Sequence, residues 1–65
     1  MLSGTVTEFS GDRGLGTVTT GDGQPYVFHV IEIADGSRTI EVGQSVTFHP
    51  LPKFGTLQAG SVRKV

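Results

Sequence analysis

Arg13, His29 and His49 carry the side chains of this sequence that are best suited to binding or to proton transfer. A guanidinium can hold a phosphate or stack on a flat base, and an imidazole can stack, donate a hydrogen bond or bind a metal ion. Arg13 beside Asp12 can equally be a solvated surface charge, whereas contact with a ligand is the favoured interpretation for His29. His49 precedes Pro50 and has no neighbouring ligand type, so a structural role is favoured there.

No set of residues has the spacing of a catalytic or metal site. The sequence contains no cysteine, no Gly-x-Ser-x-Gly elbow and no phosphate-loop motif, and its six carboxylates are spread over loops and predicted strand ends. The glycine-rich stretch at 11–16 precedes a predicted strand rather than a helix, which fits neither a phosphate loop nor a dinucleotide fingerprint. We therefore expect a protein that is not an enzyme and that uses neither a metal ion nor a cofactor.

Length and charge limit the remaining classes of protein. The 65 residues predict a single domain over 1–65, and five Lys and Arg against six Asp and Glu give a net charge of −1. This balance offers no electrostatic argument for nucleic acid or for membrane, so such a function must be argued from particular residues. The sequence shows no leader pattern and no apolar run of membrane-spanning length, and we expect a cytoplasmic protein that does not bind membranes.

The elements that must position these side chains are predicted to be strands. Gly and Pro interrupt the chain at short intervals, and the segments between them are rich in Val, Thr, Ile and Phe. The predicted strands are Leu2–Phe9, Leu15–Thr20, Tyr26–Val30, Ser45–His49 and Leu57–Val62, with a short 3₁₀ turn at 31–34. Pro50 and Pro52 cannot donate to a central ladder, so the fourth strand is predicted to end near them or to lie at a sheet edge there. Residues 51–55 are predicted as a loop. Five short strands are expected to close into an all-β Greek-key barrel.

Strand alternation assigns the side chains near the second and third strands to two faces. Gly16 and Val18 are expected to face inward, and Leu15 and Thr17 outward. In the next strand Tyr26 and Phe28 are predicted to fill the barrel interior, while Val27 and His29 alternate with them on the outside. The candidate binding face is therefore the outer surface of these strands.

Several segments together resemble the cold-shock domain family, in order and at nearly the family's spacing. Arg-Gly-Leu-Gly-Thr-Val at 13–18 is similar to the family's Lys-Gly-Phe-Gly-Phe-Ile motif, and Val-Phe-His-Val at 27–30 is similar to its Phe-Val-His-Phe motif. The opening residues 1–6, the Gly-Gln-Ser-Val-Thr-Phe at 43–48 and the Gln-Ala-Gly-Ser-Val at 58–62 also match. The resemblance implies a five-stranded OB-fold barrel that binds single-stranded RNA or DNA.

The departures from the family pattern fall on the binding face. The resemblance places stacking aromatic rings at the positions of Glu8, Leu15, Thr17, Val27 and Val30, and a histidine at His29. Only the histidine is kept. Each stacked base contributes roughly 1–3 kcal/mol, so we expect weak binding, and a negative charge on the first of these positions opposes a phosphate backbone.

The expected contact residues combine the kept polar side chains with an apolar platform. Phe9 and Phe54 are candidates for relocated stacking rings, although Phe54 can equally be packed down on the core. The complete predicted binding set is Arg13, His29, Phe9, Leu15, Thr17, Val27, Val30 and Phe54. The alternative left open by the lost rings is that the same face binds a protein partner or a second copy of the chain as a homodimer.

Overall fold

The chain folds into a closed barrel of five strands. The structure, a computed structural model, describes residues 2–34, 36, 39–53 and 56–65. The elements are β1 (Leu2–Ser10), β2 (Leu15–Thr20), β3 (Pro25–His29), a 3₁₀ helix (Val30–Glu32), β4 (Ser45–Lys53) and β5 (Thr56–Lys64). Around the barrel the strands follow the order β1-β2-β3-β5-β4, so that β1 closes against β4. The prediction of an all-β five-stranded barrel is confirmed.

Two short hairpins bring β1, β2 and β3 together as one antiparallel sheet. In the first turn Gly14 has a φ of 68°, a left-handed conformation that glycine adopts without steric cost, and its N–H donates to the carbonyl of Ser10 at 3.0 Å. In the second turn Gly23 has a φ of 87°. Glycine at these two positions therefore sets the register in which the outer face is assembled.

The barrel interior contains the residues expected to face inward. Val6, Val18, Phe28, Val46 and Phe48 are fully buried. The ring of Tyr26 packs on that of Phe48 with centroids 4.9 Å apart and a tilt of 56°, a geometry that aromatic pairs favour. Alternation along the strands thus separates a core from an outer surface, as predicted.

The fourth strand is longer than predicted. β4 continues through two prolines, with Pro50 opposite Ala59 and Pro52 opposite Leu57 on β5, so the prediction of a loop beginning at 51 is wrong up to Lys53. The reason is the extent of the β1–β4 pairing, which ends where Leu2 meets Phe48. Beyond that point the described residues of β4 pair only with β5, and a proline at such an edge need not donate to a second neighbour. The sheet-edge alternative for these prolines is confirmed.

The boundaries of β3 and of the following turn also differ from prediction. β3 ends at His29, and Val30 begins the 3₁₀ helix, one residue earlier than expected. Glu32 of this helix accepts a hydrogen bond from the backbone N–H of Ser61 at 3.2 Å. Ser61 has a φ of 50°, beside a shift of register between β4 and β5, so the carboxylate of Glu32 holds an irregular stretch of β5 in place.

Candidate nucleic-acid interface

Cross-strand pairing places four of the predicted contact residues, Leu15, Thr17, Val27 and His29, in two adjacent rows. In one row Glu8 lies opposite Thr17, which lies opposite Val27. In the next row Ser10 lies opposite Leu15, which lies opposite His29. Directly opposed residues lie about 5 Å apart and diagonal ones about 7–8 Å, so the two rows form one continuous outer face.

An open concavity of about 260 Å³ lies on this face at the end of the β1–β2 hairpin. Its lining combines two charged side chains, two hydroxyls, three apolar side chains and a glycine. The lining residues are Glu8, Phe9, Ser10, Arg13, Leu15, Gly16, Thr17 and Val27. Five residues of the predicted set therefore meet around one concavity: Phe9, Arg13, Leu15, Thr17 and Val27.

The floor of the concavity is aliphatic. Leu15 and Thr17 are half-buried, and Val27 is 41% exposed. Leu15 and Val27 are diagonal neighbours on paired strands, close enough for their side chains to meet. This floor can contact the face of a base, but it lacks the flat polarizable surface of an aromatic ring.

The charges on the concavity are opposite in sign. Glu8 and Arg13 are both exposed, and neither side chain forms a hydrogen bond or an ion pair with another residue that the structure describes. Glu8 supplies two acceptor oxygens, and the guanidinium of Arg13 supplies five donors in a fixed plane.

Phe9 occupies a different environment from the exposed ring that was predicted. It lies opposite Gly16, and Gly16 lies opposite the buried Phe28, so these three residues form a row that faces inward. Phe9 is half-buried and packs against the core, with only part of its ring at the concavity. The β-bulge between Val6 and Glu8 shifts the alternation of β1 and turns Phe9 toward the core, and its part as a stacking ring stays a prediction.

Val30 does not belong to the exposed platform either. Its side chain is half-buried against the core, and its N–H donates to the carbonyl of Gly14 at 2.9 Å. A Cβ built at Gly14 would lie 3.3 Å from Cγ2 of Val30, so the two residues are in close contact. Val30 therefore supports the turn that carries Arg13, and its part in binding stays a prediction.

The other predicted side chains lie at or beyond the margin of the concavity. His29 is exposed beside Leu15 but does not line it. His49 is exposed on β4 opposite Gly60, outside the site. Phe54 lies outside the described residues, and its prediction stays a prediction.

Two lining residues, Glu8 and Ser10, were not in the predicted set. The sequence predicts for Glu8 a charge that opposes phosphate at a stacking position of the family, and the predicted first strand, Leu2–Phe9, ends before Ser10. The signal that finds Ser10 is the hairpin itself, because a four-residue turn at 11–14 puts the residues on either side of it opposite each other.

Within the described residues, no group of three or more His, Asp or Glu side chains is arranged to hold a metal ion. No helix in the same part of the chain is long and apolar enough to cross a membrane.

Comparison with known proteins agrees with the barrel. The profile of the family described as "'Cold-shock' DNA-binding domain" matches residues 2–65. Cold shock protein 1 of Lactiplantibacillus plantarum is 45% identical over 49 residues, and Cold shock protein 2 of the same organism is 41% identical over 49 residues; each alignment covers 74% of both chains.

Among solved structures, the chain is similar to "drosophila Unr CSD456", with a TM-score of 0.82 and 26% identity. The match covers 98% of this chain and 26% of that chain, so the similarity concerns one domain of a longer protein. The barrel order, the family profile and the similarity to two cold shock proteins agree, and the chain belongs to the cold-shock domain family as a nucleic-acid-binding module.

Proposed function

We propose that this domain binds single-stranded RNA or DNA weakly, through the concavity at the end of the β1–β2 hairpin. The observation that carries the proposal is the convergence of Arg13 with the aliphatic floor formed by Leu15 and Val27. A cation beside an apolar platform is the combination that single strands require, because the backbone carries negative charge and the bases have apolar faces.

Low affinity follows from the chemistry of the floor. A stacked base contributes roughly 1–3 kcal/mol on an aromatic ring, and Leu15 and Val27 offer aliphatic contact in its place. The loss of two such rings costs several kcal/mol, and about 4 kcal/mol separates micromolar from millimolar dissociation constants. Binding at high micromolar to millimolar concentrations is therefore expected.

Salt dependence is expected to be shallow. Arg13 lies in the turn at the concavity and His29 lies in one of the two rows beside it, and neutralising one phosphate of a single strand contributes a slope of about −0.7 in log K against log salt. A slope no steeper than about −1.4 follows if both contact phosphates. A basic groove that contacts many phosphates would give a much steeper slope.

A protein partner or a second copy of the chain is the competing occupant. A standard interface buries about 800 Å² on each partner, which is about a fifth of the 4087 Å² surface of this chain. The aliphatic floor is much smaller than that, and polar residues surround it, with Glu8 on one side and His29 on the other. The geometry therefore favours a single strand, whose bases need only a narrow apolar surface.

The test is a titration of labelled oligonucleotides of about seven nucleotides, as DNA and as RNA, followed by fluorescence anisotropy at low and moderate salt. Arg13→Ala is expected to weaken binding and to lower the salt slope by about 0.7. The matched control is Arg63→Ala, which removes an exposed arginine from β5, opposite Thr47 and away from the concavity.

Absence of binding at low salt and at about 1 mM protein would overturn the proposal. An equal loss of affinity in both arginine variants would remove the concavity as the binding site. Sedimentation of the protein alone at the same concentration tests the competing occupant, since a dimer would indicate that the face is covered by a second chain.

A further inference from the structure

We propose that the concavity selects guanine among the bases of a single strand, with Glu8 reading its donor edge and Arg13 its acceptor edge. The inference rests on the proposed function and specifies the base that this site takes. It starts from a feature of the concavity that weak stacking does not explain, which is a pair of exposed, oppositely charged side chains in its lining that have no side-chain partner among the described residues.

The carboxylate of Glu8 is an acceptor with two oxygens and no donor. Two neighbouring donors on a base would satisfy both oxygens at once, and guanine presents such a pair in N1–H and the N2 amino group. Adenine and cytosine each place their amino donor beside a ring acceptor, and uracil and thymine place N3–H between two carbonyls. A carboxylate therefore matches guanine in two bonds and every other base in one, with a repelling acceptor alongside.

The guanidinium of Arg13 matches the opposite edge of the same base. Guanine carries two acceptors, O6 and N7, and arginine bonded to both is the commonest specific contact between proteins and guanine. Arg13 lies in the hairpin turn, and Glu8 lies on β1 on the other side of Ser10. The two charged residues line the concavity from different elements, and contacts to two edges of one base require groups at two different positions.

The aliphatic floor gives these edge contacts a larger part in recognition. Stacking on a ring tolerates every base because each has a π face, whereas hydrogen bonds to base edges carry sequence information. Leu15, Thr17 and Val27 can support a base face but hold it less strongly than rings would. Selectivity at this site therefore depends on Glu8 and Arg13. Compared with a site built from aromatic rings, this site has a stronger preference for one base and a lower affinity for single strands.

The test compares thymidine oligonucleotides of about seven nucleotides with versions that carry one central guanine, in anisotropy titrations at about 50 mM salt. Guanine is expected to improve binding at least about five-fold, the lower end for a good bidentate pair. Inosine lacks the N2 amino group and should bind at least about three-fold more weakly than guanine. The 7-deaza analogue of guanine lacks the N7 acceptor and separately tests the contact of Arg13.

The decisive variant is Glu8→Gln, which keeps the size of the side chain and replaces one acceptor with a donor. It should abolish the difference between guanine and inosine and shift preference toward bases that pair an acceptor with a donor, such as adenine. Asp12→Asn is the matched control, because it removes an exposed carboxylate from the neighbouring turn that does not line the concavity. It should leave the guanine preference intact.

The outcomes separate this inference from the proposed function. Binding that is equal for all bases, or a guanine preference that survives Glu8→Gln, overturns the guanine inference while weak binding of single strands stands. Absence of binding to every oligonucleotide overturns both. A guanine preference lost equally in Glu8→Gln and Asp12→Asn reports a general charge effect and also overturns the assignment to Glu8.

Discussion

Gly16→Ala tests whether the inward row beneath the concavity is packed as described. Gly16 is buried between Phe9 and Phe28, and a Cβ there would contact Cζ of Phe28, lie 2.7 Å from its Cε1 and lie 3.1 Å from the carbonyl oxygen of Glu8. Phe28 is fully buried, so its ring has no free space to move into. Overpacking of this kind costs about 1–3 kcal/mol.

The replacement of glycine by alanine also restricts the unfolded chain, which offsets about 0.4–1 kcal/mol. The expected net loss in the free energy of unfolding is about 1–2 kcal/mol, a fall in Tm of about 4–16 °C for a domain of this size. Circular dichroism during thermal and urea denaturation measures this loss without an intrinsic tryptophan, which the sequence lacks.

Gly21→Ala is the control for this substitution. No heavy atom lies within 4 Å of a Cβ built at Gly21, and its φ is outside the left-handed region. The same chemical change there should leave stability unchanged or raise it by up to about 1 kcal/mol. Equal stability of the two variants would refute the close packing of Phe28 on Gly16 and, with it, the account of how the floor is supported.

Three further results are expected. Thr17→Phe should tighten binding of a single strand by about five-fold or more in the same anisotropy titration. The substitution places a ring beside Val27, and a ring contributes roughly 1–3 kcal/mol per stacked base. Unchanged affinity would contradict the stacking argument. Ser61→Asn should raise Tm by about 2–4 °C. Asparagine tolerates the left-handed φ of 50° better than serine does, and the substitution should relieve about 0.5 kcal/mol of backbone strain. A fall in Tm would show that the serine is specifically required. The carboxylate of Asp22 accepts a hydrogen bond from the hydroxyl of Thr20 and a second from the backbone N–H of Gln24, and these bonds lower its pKa below the usual 3.8. The ionised carboxylate therefore stabilises the folded protein above pH 3.8, and this contribution is lost as the pH falls through the lowered pKa. Urea denaturation should therefore find Asp22→Asn less stable than the parent at neutral pH, with the difference closing in acid, and a difference independent of pH would contradict this.

Strand alternation predicted the parts of the site that lie within regular pairing. Leu15, Thr17 and Val27 face outward and Phe28 faces inward, as expected, because a period of two is a local property that each strand carries in its own residues. The hairpin turns were also predictable, since glycine at positive φ has a clear sequence signal at Gly14.

The errors arose where the outcome depends on neighbouring strands. Phe9 turns inward because of a bulge in the β1–β2 ladder, and alternation counted from Leu2 does not contain that bulge. Pro50 stays within β4 because the described β1–β4 pairing stops at Leu2 and Phe48, so that Pro50 pairs only with β5. This arrangement is a consequence of how the barrel closes. Val30 packs on the core because the 3₁₀ helix begins one residue early. None of these three features can be obtained from one segment considered alone.

The same alternation explains how the barrel and its surface can change separately. Gly16 and Phe28 pack together in the interior, while Leu15 and Thr17, on either side of Gly16, lie on the outer face at the concavity. Exposed substitutions away from special features usually alter stability by less than about 0.5 kcal/mol. Glu8→Gln should therefore leave Tm nearly unchanged while it alters base preference. A binding face of this kind can exchange stacking for hydrogen-bond readout of bases without loss of the fold. The residues that specify the fold and the residues that specify binding lie on opposite sides of the same strands.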